Sequence, residues 1–288
     1  MLLGSSLNNK GRGMDVSRRA AVKLLGAASA VLWSPAALFA QAPAGELSGK
    51  MTLASAINKA GRQRMLSQRM PKAYAQLTLT VLPEDSSRML DESTRLFDSQ
   101  LSELTRFAPS AGTRQIFIRQ GRLWERYRVL LATSPSRQTV ASIQALDEEM
   151  LAAAHNGAVE LEKLAGTLSG KLVNISGRQR MLSQRLAKLY MYRELGFIGP
   201  KDESIRGTKE EFAAALRALR SAPDTTTEIG NLLQRADAQW QSLGHALDVR
   251  SGATADPAAR LNVATASERM LEMFESITQA YEAISAPA

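Results

Sequence analysis

The chain has no cysteine among its 288 residues. That absence excludes disulfides, thiolate catalysis, iron–sulfur clusters and thiolate zinc sites together. Histidine is nearly as scarce: only His155 and His245 occur, too few for a histidine-rich metal centre. Aromatic residues make up 5 % of the chain, and no period-two run of β-branched residues competes for a sheet. What is abundant is Leu, Ala, Arg, Glu, Gln and Met, a helical composition. Hydrophobic residues at 44 % can fill real cores, so the chain is not a disordered one, and its length suits one large domain or two ordinary ones.

The first forty-odd residues read as an export signal rather than as part of the fold. Ser17-Arg18-Arg19-Ala20-Ala21-Val22-Lys23 precedes an apolar run, Leu24 to Trp33, and small residues follow around Ala36 to Ala44. The run is too short for a permanent membrane helix, so a cleaved signal over residues 1–42 is expected, with cleavage near residues 40–44 and a periplasmic product. The paired arginines resemble a twin-arginine signal; an ordinary secretory signal is the alternative, and Met14 offers a second start. Residues 1–42 hold five of the 36 Lys and Arg and one of the 28 Asp and Glu, so the remainder carries an excess of only four positive charges. The basic balance therefore does not point to nucleic acid.

Gly61-Arg62-Gln63-Arg64-Met65-Leu66-Ser67-Gln68-Arg69 recurs letter for letter at Gly177 to Arg185, 116 positions on. At the same offset Asn58 pairs with Asn174, Lys72 with Lys188, Tyr74 with Tyr190 and Trp124 with Trp240. Leu146 to Leu151 corresponds to Ala266 to Leu271 at the chain's other end. An internal duplication decides architecture. Two modules are expected, over residues 44–165 and 166–288, each with four amphipathic helices. In the first these run from about Leu47 to Leu82, Glu84 to Phe107, Thr113 to Leu131 and Ser136 to Leu164, and the second breaks near Gly199-Pro200, Ala222-Pro223 and Ser251 to Pro257. The predicted fold is all-α, two tandem four-helix bundle modules. Gly166, Thr167, Ser169 and Gly170 suggest a hinge between the modules. With a break there the modules lie side by side; with a continuous helix they stack end to end.

On a helix, Ile57, Gly61, Arg64 and Gln68 form one stripe, matched by Val173, Gly177, Arg180 and Gln184. Glycine inside a helix costs about 1 kcal/mol relative to alanine, so its repetition calls for a reason such as close approach of a second backbone. The motif helices are also strongly one-signed. Six basic residues and no acid lie between Leu47 and Pro83, and seven with no acid between Lys163 and Arg193. Either acids of other helices neutralise these arginines, as Asp91, Glu92, Glu103, Glu148, Glu149, Glu160 and Glu162 could, or a soluble anion does. Arg64 and Arg180, on the glycine face, suit an anion because a guanidinium offers paired donors to an oxyanion. Met65 and Met181 are core filling rather than copper ligands. Trp124 and Trp240 are core anchors, and His155 and His245, which do not correspond between the modules, are surface or satisfied residues. Ser67 and Ser183 have no nucleophile–base partner, so no catalytic residue, cofactor or metal site is expected.

Ile57-Asn58-Lys59-Ala60-Gly61-Arg62-Gln63-Arg64-Met65-Leu66-Ser67-Gln68-Arg69 resembles the P-box of bacterial nitrate/nitrite sensor kinases and the N-terminal domain of PilJ-type chemotaxis transducers of type IV pili. The resemblance implies a periplasmic four-helix bundle in which the arginine before the methionine, from both subunits of a dimer, clasps one nitrate. Carried over, those arginines are Arg64 and Arg180, supported by Gly61, Gly177, Met65, Met181, Ser67, Ser183, Arg69 and Arg185. The second copy reads Val173-Asn174-Ile175-Ser176-Gly177, with Val for Ile and Ser for Ala. No second apolar span or cytoplasmic signalling region follows, so the expectation is a soluble sensory protein for nitrate or nitrite that signals to an envelope partner. Both half-sites in one chain would let Arg64 and Arg180 meet without a second subunit, provided the modules lie side by side; a homodimer is left open. The alternative is a ligand-free module that docks another cell-envelope protein.

Overall fold

A computed structural model describes residues 51–198, 203–248 and 256–285. The expected signal, the start of the first module and the breaks at Gly199-Pro200 and 251–255 lie outside these residues. Eight helices fill the described residues: α1 (Leu53–Thr78), α2 (Pro83–Phe107), α3 (Ala111–Leu131), α4 (Arg137–Ala165), α5 (Leu168–Glu194), α6 (Glu203–Arg220), α7 (Thr227–Asp248) and α8 (Pro257–Ser285). The all-α class and the two tandem four-helix modules are as the sequence suggests, α1 to α4 forming one and α5 to α8 the other.

Local chemistry sets the helix ends. Thr52, Ser110, Ser136 and Thr167 each accept a backbone N–H three residues on, filling an orphan donor of the first turn. Pro83 stops nothing by itself: α1 has ended at Thr78, and Pro83 opens α2 at the position where a missing N–H is harmless. Between them Leu82 is held at φ 46°, a conformation a branched side chain adopts only under constraint.

The hinge region is a true break. Gly166 ends α4 in the left-handed conformation at φ 59°, and Thr167 caps α5 immediately afterwards. The chain therefore folds back, and α1 and α5 pack against each other more extensively than any other pair of helices. The side-by-side arrangement is the one adopted. Each module then builds the same core: Phe97 lies 4.3 Å from Trp124 between ring centroids, and their counterparts Phe212 and Trp240 stack at 4.1 Å.

Candidate functional site

Both repeated nonapeptides lie in the seam between α1 and α5. Arg64 and Arg180 are fully buried, as are Met65, Ser67, Arg69 and Ser183, and Met181 is 3 % exposed. The glycines make room for the arginines more than for the opposite backbone. A methyl group on Gly177 would stand 3.0 Å from the Arg180 guanidinium, and one on Gly61 3.2 Å from that of Arg64 and 4.0 Å from the Cα of Gly177. Each guanidinium thus fits over a bare turn of its own helix, at the point where the two helices cross.

From there each arginine reaches across the pseudo-two-fold axis. Arg64 Nη2 donates to Asn174 Oδ1 at 2.6 Å and to its carbonyl at 3.3 Å; Arg180 Nη2 donates to Asn58 Oδ1 at 2.7 Å and to its carbonyl at 3.3 Å. The asparagines are oriented in turn, Asn174 donating to Glu162 and Asn58 to Glu282. Ser67 and Ser183 donate to the Arg64 and Arg180 carbonyls, and Gln63 and Gln179 to those of Phe97 and Phe212. The serines therefore serve the helix backbone. Asn58 and Asn174, singled out from sequence only as a repeated pair, are the direct partners of the motif arginines.

Neutralisation breaks the symmetry. Arg180 Nη1 donates to Glu275 Oε2 at 2.6 Å, and the other oxygen of that carboxylate pairs with Arg62. Arg64 has no carboxylate partner among the described residues; its Nη1 lies 3.5 Å from His155 Nδ1. The register that matches Leu146–Leu151 with Ala266–Leu271 puts His155 where the second module has Glu275. His155 thus answers Glu275 and not His245, and the correspondence joins unlike residues. Burial, with Arg178 and Arg180 nearby, lowers Arg64 to about 9. Burial also lowers His155, and Arg64 and Arg178 lower it further. Burial alone would raise Glu275, but Arg180 and Arg62 hold it at about 2. Among the described residues, Arg64 alone of the two motif arginines is thus left without a carboxylate, and the Nε of each has no hydrogen-bond partner.

The remaining motif cations are mostly paired across modules. Arg69 and Lys72 of α1 share Glu268 of α8, and Arg185 of α5 reaches Glu148 of α4 at 2.8 Å. Lys188 pairs with buried Asp147 at 2.9 Å, which also accepts from Tyr127 and Tyr192. These contacts lock each motif helix to the last helix of the other module. No helix among the described residues is long and apolar enough to cross a membrane.

No curated protein and no solved structure matches the chain. A family profile described as the N-terminal domain of type IV pili methyl-accepting chemotaxis transducers (PilJ) matches residues 47–148 and again residues 168–271. With most of its length covered by two such matches, the chain belongs to the PilJ family of sensory domains.

Proposed function

We propose that this chain is a non-catalytic sensory module of the cell envelope that acts by docking a partner protein. In this reading it works in the periplasm after export by the twin-arginine route. The observation that carries the proposal is how the seam satisfies itself: each repeated arginine binds the asparagine of the opposite motif helix, and Arg180 also binds Glu275 of α8. A seam built from buried charged contacts has discrete arrangements rather than a continuum, so a partner bound outside can bias its packing. Photo-crosslinkers placed in the living host at exposed positions of α2, α3, α6 and α7 test the proposal. Adducts with one defined envelope protein are expected from one face. Their absence from all four helices would overturn it.

A second reading, favoured by the missing carboxylate at Arg64, is a small-oxyanion sensor of P-box type. One nitrate or nitrite per chain would be held by Arg64, with Arg178 and His155 beside it, while Arg180 stays with Glu275. Calorimetric titration with nitrate, nitrite, sulfate and chloride tests it. Saturable binding of one anion, lost in Arg64→Ala, supports the reading, and no binding of any anion refutes it.

A further inference from the structure

Away from the seam, α3 departs from the charge balance of its surroundings. It carries Arg114, Arg119, Arg122, Arg126 and Arg128 against Glu125 alone, and all five arginines are exposed. Among the described residues only Arg128 of these five forms an ion pair, with Glu125 at 2.8 Å. Arg119, Arg122 and Arg126 follow i, i+3, i+7 spacing, so they form one outward stripe about 10 Å long. Val129, 63 % exposed, extends the same face.

The second module supplies an internal control. Its helix α7 has the same place and register, with Trp240 answering Trp124. Yet Gly230, Ala238, Ser242 and Gly244 stand where α3 has Arg114, Arg122, Arg126 and Arg128, and only Arg119 has a basic counterpart, Arg235. A methyl group on Gly230 or Gly244 would meet nothing within 4 Å, so these are open surface positions. The fold forms without the arginines, and packing does not explain them.

Beside the stripe, α2 and α3 part to leave a groove of about 470 Å³ with Leu101, Phe117, Ile118 and Trp124 in its lining, Arg106 and Arg122 as its cations, and two carboxylates already engaged, Asp98 by Trp124 and Glu125 by Arg128. We propose that the outer face of α3, together with this groove, docks an acidic amphipathic helix of a partner protein, an extension that rests on the docking reading above. The apolar edge of that helix enters the groove, and a row of its carboxylates faces Arg119, Arg122 and Arg126. Arginine without lysine suits this, because its planar fork binds a carboxylate through two parallel bonds. A bilayer fits less well: it receives apolar side chains that project, whereas on this face only Val129 projects, and Leu101, Phe117 and Trp124 lie recessed.

The test uses the full chain and a labelled synthetic helix of about 18 residues, five turns, with Leu along one edge and Glu at i, i+4, i+7 beside it. A peptide with Lys for Glu and vesicles of anionic phospholipid serve as comparisons. Fluorescence anisotropy should show binding of the Glu peptide that weakens as salt rises. Affinity should fall at least tenfold in Arg119→Glu/Arg122→Glu/Arg126→Glu, whose exposed changes leave the melting temperature near that of the parent. Ala238→Arg/Ser242→Arg, which beside Arg235 rebuilds the stripe on α7, should gain a second binding event. Equal affinity of parent and reversed chain, equal binding of the Lys peptide, or binding to vesicles without binding to the peptide would each overturn the proposal. A partner crosslinked on another face, with no peptide binding at α3, would sink this inference and leave the docking reading intact.

Discussion

Glu275 is the carboxylate on which one half of the seam depends, and replacing it by glutamine should have a large and pH-dependent effect. Only 7 % exposed, it lies between Arg180 and Arg62, which hold it near 2 against an ordinary value of 4.5. A depression of that size corresponds to about 3 kcal/mol. For a chain of this length each kcal/mol moves the melting temperature by about 2–4 °C, so Glu275→Gln should melt about 6–12 °C below the parent at pH 7. The sign of the pH effect follows from the depressed value. The stabilisation is complete above the unfolded-state value near 4.5 and is lost as pH falls towards 2. Thermal melts followed by circular dichroism at pH 7 and pH 3 should therefore show the gap shrinking to less than half at the lower pH. A gap that stays constant, or one below about 2 °C at pH 7, would refute the ionic role given to Glu275.

The reverse experiment is His155→Glu, which gives Arg64 the carboxylate its counterpart has; a gain of about 1–2 kcal/mol is expected in urea unfolding, and a loss would contradict the asymmetry. The glycines should rank by how tightly their arginines are held. Gly177→Ala, 3.0 Å from a guanidinium pinned by Glu275, should destabilise by more than Gly61→Ala, 3.2 Å from one that is not, with equal effects counting against the fit described. Glu272 is raised to about 7 by burial and by Glu268, so its ionisation in the folded state costs stability from pH 4.5 upward and levels off above 7. Glu272→Gln should accordingly raise the melting temperature more at pH 8 than at pH 5, and a pH-independent gain would show that the carboxyl is unperturbed.

Much of the fold is legible in the sequence because its determinants are local. Composition and helical spacing give the class, and Ser136 and Thr167 mark two of the starts, whereas α1 and α3 begin after the caps Thr52 and Ser110 rather than at the expected Leu47 and Thr113. The exact repeat reveals the duplication, and Gly166 with Thr167 marks the break between modules. What local chemistry does not report is which helix lies against which. The partner of Arg180 sits 95 residues away at Glu275, and that of Arg69 lies 199 residues away at Glu268. Neither pairing is written in spacing along one helix. The exchange of Glu275 for His155 was within reach, since the matching ends of α4 and α8 set the register. It is hidden by following the motif's offset of 116, because the last helices of the modules are related by 120.

The two repeats face each other within one chain, across the seam of α1 and α5. The protein has no cysteine, so a pair introduced at Gly61 and Gly177 is its only thiol pair, and a Cβ on Gly61 lies 4.0 Å from the Gly177 Cα, within reach of a disulfide. Oxidising Gly61→Cys/Gly177→Cys and measuring its mass under non-reducing conditions should give a cross-linked monomer. A disulfide-linked dimer, or two free thiols in a folded protein, would contradict the account.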